Sequence, residues 1–250
     1  TFPNHHPDPT VAENVEELIE KVKELKADVG IAFDGDVDRI GAIDDEGNII
    51  WGDRLLILFA RSILKAVPGA TIIGEVKCSR TLFEDIAKRG GNPVMWRTGH
   101  SLIKAAMKEH HAEVAGEMSG HMFFQNRWYG FDDAIYSGAR LLEIIANSDI
   151  SLSEMLADVP EMYSTPETRI DTTEATKFQV VEKARDYFKD DLGLNVNTID
   201  GARIEWADGW GLLRASNTSP VLVMRAEAET PERCEEIRDL IMNKVNELQS

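Results

Sequence analysis

Apolar residues recur three or four apart at Val11, Val15, Leu18, Ile19, Val22 and Leu25, which predicts an amphipathic helix over Val11–Lys26 with Thr10 as its cap. The apolar run Val29–Phe33 lies between Asp28 and Asp34 and is too short for a helix, so it reads as a buried strand. Ile40–Ile43 and Ile49–Trp51 flank Asp44-Asp45-Glu46-Gly47-Asn48, a hairpin pattern. Asp53 is placed to cap a helix to about Ala66, which Pro68-Gly69 ends. Strands over Ala70–Val76, Pro93–Trp96 and Ala112–Ala115 then alternate with helices over Arg80–Arg89 and Ser101–Glu109. A long polar loop, Glu117–Phe131, precedes a helix over Asp132–Ala146. That alternation predicts an α/β layer architecture.

The pattern changes after Asp158. Val159–Thr168 carries two prolines and little periodicity and reads as a linker. A strand near Arg169–Asp171, a helix over Glu174–Phe188 and strands over Thr198–Trp206, Gly211–Ala215 and Val221–Ala228 come next. Pro231 fits the first turn of a last helix reaching Leu248, with Thr230 as its cap. This is the signature of a second, smaller α+β domain.

Of the 250 residues, 43% are hydrophobic and 28% charged, enough to bury a core. The balance of 27 basic against 44 acidic residues, −17, argues against a general nucleic-acid binder, whose affinity comes from Lys and Arg. A local basic pocket for one phosphate stays compatible with it. The longest apolar run, near Leu55–Ala60, is far shorter than the ~20 residues of a membrane span. No basic-then-apolar leader opens the chain, and Cys78 and Cys234 are far apart, so a reduced, cytoplasmic protein without disulfides is expected. Thr1 stands where an initiator Met would, and the residues FPNHHPDP after it read like an interior loop; the expectation is a fragment of a longer protein.

Asp34-Gly35-Asp36-Val37-Asp38-Arg39 is the sharpest chemical signal. Three carboxylates alternate in a turn after a buried strand, hard oxygen ligands suited to Mg²⁺ or Ca²⁺. It is not an EF-hand: Arg39 stands where that loop needs Gly, Asp45 where it needs Glu, and a strand leads in. A solvated acidic turn is the plainer alternative. Arg39 suits a phosphoryl oxygen, or a salt bridge to the Asp cluster. Glu117 and Ser119, in Gly116-Glu117-Met118-Ser119-Gly120-His121, can present oxygens to a polyol, and a surface loop explains them as well. His100 can exchange protons near neutrality, though a lone His is more often structural, and Lys77 reads equally as an exposed lysine. Arg214-Ala215-Ser216-Asn217-Thr218-Ser219-Pro220 offers hydroxyls, an amide, backbone N–H groups and one Arg, a phosphate cradle or an ordinary turn.

Taken together, FPNHHPDP, AFDGDVDR, VKCSRTLFEDI, TGHSLIK, GEMSGHMFF, WYGFDDAIYSGARLLE and GWGLLRASNTSPVLVMRAEA resemble the α-D-phosphohexomutases, most closely the bacterial phosphomannomutase/phosphoglucomutase branch. The ordered set is specific and runs from Phe2 to the last helix. The resemblance implies phosphohexomutase-like mixed α/β domains followed by a smaller α+β domain. Residues 1–48 would be the back part of a metal-loop domain, 49–160 a sugar-binding domain and 161–250 a phosphate-binding domain. Members interconvert hexose 1-phosphates and 6-phosphates, of mannose or glucose, through a hexose 1,6-bisphosphate. A phosphoserine in a preceding domain is the donor, and Mg²⁺ is the cofactor. The resemblance makes Asp34, Asp36 and Asp38 the metal ligands and gives Arg39 a part in phosphoryl transfer. Glu117 and Ser119 become sugar readers, and Lys77, His100 and His121 lie around the substrate and proton-transfer region. Arg214, Ser216, Asn217 and Thr218 become the phosphate grip. Val37 stands where the family often has Gly or Ala. No Thr-Ala-Ser-His-Asn-Pro-like phosphoserine segment occurs in these residues, so the chain alone is expected to be inactive. A monomer without nucleic-acid or membrane partners is expected. Two alternatives remain: a non-catalytic sugar-phosphate-binding module, and a Mg²⁺-dependent phosphohydrolase with Asp34 as nucleophile.

Overall fold

The stripe Val15, Leu18, Ile19 and Val22 folds as helix α1 (Glu16–Leu25), entered through a 3-10 turn over Ala12–Val15, in a computed structural model that describes residues 2–249. Thr10 does not cap it. Its hydroxyl donates to the Asp8 carboxylate at 2.7 Å, and the positions before both helical turns carry no side-chain cap. α1 packs on an antiparallel sheet of order β1-β2-β3, made of β1 (Val29–Phe33), β2 (Ile40–Asp44) and β3 (Ile49–Ile50). β1 is only half-buried, with Gly30 its one buried residue, because it is the edge strand and no described strand pairs with its outer side. A Cβ at Gly30 would stand 2.6 Å from Val22 Cγ2, so glycine sets the approach of helix to strand.

Two compact units divide the chain, Thr1–Pro160 and Glu161–Ser250, with Thr1 and Ser250 themselves outside the described residues. In the first unit β3 leads into α2 (Gly52–Ala66), whose residues from Leu55 to Ala60 are all buried. Asp53 sits inside this helix and does not cap it. Its Oδ2 accepts from Ser79 N–H at 2.8 Å and so ties the start of α2 to the start of α3 (Arg80–Lys88). The second sheet has the order β5-β4-β6-β7, formed by β4 (Thr71–Glu75), β5 (Asn92–Trp96), β6 (Ala112–Gly116) and β7 (Met122–Phe124). β5, β4 and β6 are parallel, joined through α3 and α4 (His100–Glu109), whereas β7 returns antiparallel to β6. β7 lies inside the stretch expected to be loop; three residues with polar flanks give no periodic signal. Asp133 caps α5 (Ala134–Ala146) by accepting from Tyr136 N–H at 2.8 Å. Ile40, Ala42 and Ile50 share one core with Leu55, Phe59, Ile72 and Leu141, so the segment before residue 48 is packed into the same unit as α2, β4 and α5.

The second unit is an antiparallel sheet of order β10-β11-β12-β13-β8, with β9 also paired to β13. Its strands are β8 (Tyr163–Ser164), β9 (Thr168–Asp171), β10 (Asn195–Asn197), β11 (Ala202–Trp206), β12 (Gly209–Ala215) and β13 (Val221–Ala228). β8 occupies part of the expected linker. α6 (Lys177–Asp186), extended by a π turn over Tyr187–Asp191, and α7 (Pro231–Gln249) cover the sheet through Phe188, Ile237 and Ile241. Thr230 does cap α7, accepting from Arg233 N–H at 3.2 Å. Among the described residues no helix is long and apolar enough to cross a membrane.

Candidate functional site

The turn between β1 and β2 brings Asp34, Asp36 and Asp38 together, with one oxygen of each within 4.8 Å of the others. Asp34 is buried and accepts three hydrogen bonds, which leaves one lone pair on Oδ2. Its Oδ1 accepts from the N–H groups of Asp38 (3.1 Å) and Arg39 (3.0 Å), and its Oδ2 accepts from Arg39 Nε (2.7 Å). Burial pushes its carboxyl up, but the Arg39 hydrogen bonds and charge outweigh that and bring it down to about 2. Asp38 moves the other way, raised by burial and by the neighbouring Asp34 and Asp36, with His121 opposing. Arg39 also reaches Asp8 through Nη1 at 3.0 Å. Val37 holds φ at +65°, a strained conformation for a β-branched residue that costs roughly 1–3 kcal/mol. Its carbonyl accepts from Ala134 N–H at 3.2 Å and so anchors the turn to α5.

The loop between β6 and β7 supplies the next residues. Glu117 is buried; its Oε1 accepts from Gly99 N–H at 2.9 Å, and its Oε2 lies 2.8 Å from His121 Nδ1 and 3.2 Å from Ser119 Oγ. Burial raises its carboxyl, yet the bonds from His121 and Gly99 and the charges of His121 and Lys77 hold it below the ordinary carboxylate range. His121 Nε2 then faces Asp38 Oδ1 at 3.4 Å, which joins this loop to the Asp turn. Gly120 permits the junction: it has φ +93°, its carbonyl accepts from Ile40 N–H at 3.1 Å, and a Cβ there would lie 2.4 Å from Ile40 O.

His100 opens α4 and contacts Asp132 Oδ2 through Nδ1, while Lys104 Nζ holds Asp132 Oδ1 at 3.1 Å. The His100 and His121 rings are 4.0 Å apart at their centroids. Lys77 Nζ stands 3.9 Å from Glu75 Oε1. The fully buried Glu75 accepts from Thr98 Oγ1 (2.6 Å), Lys77 N–H (3.1 Å) and Met118 N–H (3.3 Å), pulling three loops together. Sequence reasoning misses Glu75, Asp8 and Asp132. Their site partners, Thr98 and Met118 for Glu75, Arg39 for Asp8, and His100 and Lys104 for Asp132, lie 23 to 43 residues away in the chain, and a buried acid at a strand end, as at Glu75, is the one readable sign. A cavity of about 690 Å³ opens elsewhere in this unit among Arg61, Asn126, Arg140 and Asn147; it is not lined by these carboxylates and histidines.

In the second unit the turn Ser216–Pro220 joins β12 to β13, closed by Ser216 N–H donating to Val221 O at 3.0 Å. Arg214 is buried; its Nε donates to Asp200 Oδ2 at 3.0 Å, and its Nη2 is buried with no partner. Ser216 Oγ accepts from Thr218 N–H at 3.3 Å, and Asn217 and Thr218 are exposed. Lys177, buried in α6, donates through Nζ to Ser216 O (2.8 Å) and Ser219 O (3.3 Å) and fixes the turn from beneath. Asp200 and Lys177 carry no signal in the sequence.

Family models for phosphoglucomutase/phosphomannomutase match three consecutive stretches: alpha/beta/alpha domain II over residues 1–47, alpha/beta/alpha domain III over 51–163 and the C-terminal domain over 167–244. A phosphomannomutase/phosphoglucomutase of Pseudomonas syringae pv. tomato is 54% identical over 238 residues, covering 95% of this chain and 51% of that protein. A phosphoglucomutase of Neisseria gonorrhoeae is 50% identical over 239 residues, covering 95% and 52%. The crystal structure of a phosphoglucomutase/phosphomannomutase family protein from Burkholderia thailandensis superposes with a TM-score of 0.89 at 46% identity, covering 99% of this chain and 52% of that one. The chain thus spans about half the length of the relatives it matches. With three successive domain models filling nearly all of its sequence, the chain belongs to the phosphoglucomutase/phosphomannomutase family.

Proposed function

We propose that the chain is the metal-, sugar- and phosphate-binding part of a phosphomannomutase/phosphoglucomutase that interconverts hexose 1-phosphates and 6-phosphates through a hexose 1,6-bisphosphate. The observation that carries this reading is a run of three contacts: Arg39 to Asp34 at 2.7 Å, Asp38 to His121 at 3.4 Å and His121 to Glu117 at 2.8 Å. They join a carboxylate turn, an oriented imidazole and a buried acid beside a hydroxyl.

Asp34, Asp36 and Asp38 suit Mg²⁺, an all-oxygen set of alternating carboxylates. When bound, Mg²⁺ supplies positive charge against the transferring phosphoryl. Arg39, with Nε on Asp34 and Nη1 on Asp8, keeps its guanidinium plane fixed, and the N–H groups outside those two bonds, Nη2 among them, suit a phosphoryl oxygen. His121 takes the proton of the attacking sugar hydroxyl at Nε2, and the Glu117 carboxylate stabilises the imidazolium that results. Three donors engage Glu117, so it keeps acceptor capacity for one sugar hydroxyl, and Ser119 Oγ lies beside it. His100 and Lys77 border the same group. In the second unit the unpartnered Nη2 of Arg214 supports a phosphate grip with Ser216, Asn217 and Thr218. The phosphohydrolase alternative fits poorly, since both Asp34 oxygens are already bound by N–H donors and its basicity is low.

The test is calorimetry on the 250-residue chain with glucose 1-phosphate and with inorganic phosphate. Arg214→Ala should weaken both ligands by about 1.5–3 kcal/mol. Glu117→Gln should weaken the sugar phosphate and leave inorganic phosphate unchanged; equal loss of both would assign Glu117 to folding alone. No mutase turnover is expected from these residues alone, because no phosphoryl donor segment is among them.

A further inference from the structure

We infer that Lys177 is a positioning residue for phosphate binding by the second unit: it grips the turn after β12 from the helix side of the sheet and so presents the Asn217 N–H as a fixed donor on the side of Arg214. The inference rests on the phosphate grip proposed above and adds to it a residue 37 positions before Arg214 in the chain.

Lys177 opens α6, and its side chain is only 3% exposed. An ammonium has three protons, and each has an acceptor here: the Glu174 carboxylate at 2.8 Å, Ser216 O at 2.8 Å and Ser219 O at 3.3 Å. A lysine charge withdrawn from water needs such bonds. The ammonium and the two carbonyls therefore hold each other in place.

The two carbonyls differ in what lies behind them. A trans peptide is planar, with its C=O and N–H pointing in opposite directions. Drawing Ser216 O toward Lys177 turns the N–H of Asn217, on the same peptide, away from α6. The peptide after Ser219 leads into Pro220, which has no N–H, so gripping Ser219 O steadies the far end of the turn without redirecting a donor. Leu213 and Ala215 pack in one core with Val180 and Val181 of α6, so Arg214, between them in β12, projects from the opposite face. The Asn217 N–H and the buried, unpartnered Nη2 of Arg214 thus both lie away from α6. Among the described residues the Asn217 N–H meets no acceptor, whereas Thr218 N–H is already on Ser216 Oγ at 3.3 Å. A backbone donor held in this way needs no reordering when an oxyanion arrives.

The experiment titrates inorganic phosphate into the full chain and follows the backbone amides by NMR, with circular dichroism on every variant. In the wild type the Asn217 amide proton should move downfield, and by more than that of Thr218. Lys177→Met should weaken phosphate by about tenfold or more, the loss of one hydrogen bond to a charged group, and should abolish the Asn217 shift. If Lys177→Met loses its fold, Lys177→Gln, too short to span both carbonyls, replaces it with the same expectation. Weaker binding with the Asn217 shift intact would reduce Lys177 to a distant charge and overturn the positioning role. Binding that depends on Arg214 but not on Lys177, or a wild-type Asn217 amide that phosphate leaves unmoved, would overturn it as well. Binding that Arg214→Ala leaves untouched, or no binding to the wild type, would instead remove the phosphate grip itself, and the role of Lys177 with it.

Discussion

Replacing Glu117 by Gln changes one oxygen to an amino group inside a buried cluster of three donors. With the amide oxygen kept toward His121 and Ser119, the new NH₂ faces Gly99 N–H, which loses its acceptor. A hydrogen bond to a charged group is worth about 1.5–3 kcal/mol. For a protein of this size that corresponds to a fall of roughly 3–12 °C in the melting of the first unit, read by calorimetry. The pH dependence is a stricter check. The Glu117 carboxyl is held below its ordinary value near 4.5, against burial, by His121, Gly99 and Lys77. A depressed folded value means the stabilisation is complete above 4.5 and is lost as pH falls through the lower folded value. Gln does not titrate, so the gap between wild type and variant should be constant from neutrality down to pH 5 or so and narrow progressively below about 4.5. A gap that keeps its size in strong acid, or no gap at neutral pH, would refute the assignment of the Glu117 bonds.

Asp34→Asn should lower stability at neutral pH, because Arg39 loses its buried counter-charge. With the Asp34 carboxyl at about 2 against an ordinary 3.8, that deficit should be present in full above 3.8 and close as pH drops toward 2, seen in acid melts. Gly120→Ala should destabilise the first unit by about 2 kcal/mol or more, since a Cβ at φ +93° would meet backbone at Ile40 O; a thermal melt within a degree or so of wild type would contradict this.

The parallel strands β4, β5 and β6 were readable because each is a short apolar run set between amphipathic helices. β7 and β10 were not: Met122–Phe124 is too brief to show a period, and Asn195-Val196-Asn197 is mostly polar. Capping went wrong where a better partner existed in space, Asp8 for Thr10 and Ser79 for Asp53. In the site, Asp34 with Arg39 was legible from adjacency alone. The placement of Asp38 against His121 was not, since the two lie 83 positions apart and the chain between them must fold before they meet. Glu75 and Asp132 escaped notice for the same reason. Val37 stands where the family often has Gly or Ala, and its left-handed backbone at φ +65° is the conformation those smaller residues, Gly above all, would ease.

A chain with a net charge of −17 would bind the phosphorylated sugar proposed above against its own field, and its two units offer different ways around that difficulty. Around Asp34, Asp36 and Asp38 the one adjacent guanidinium, Arg39, is already matched by Asp34 and Asp8. A phosphoryl group is repelled there unless a divalent cation joins the carboxylates. The turn after Arg214 holds no carboxylate from Ser216 to Pro220, and Arg214 meets Asp200 through Nε while Nη2 stays buried and unpartnered. An unpaired buried donor is costly, so an oxyanion that satisfies it is favoured without any metal. A chelator should therefore leave inorganic phosphate on the Arg214 turn, monitored through the amide resonances of Ser216 to Ser219, and Arg214→Ala should remove it. Loss of those shifts on chelation in the wild-type chain would mean that phosphate binding by this turn also depends on a cation, and the contrast between the two units would fall.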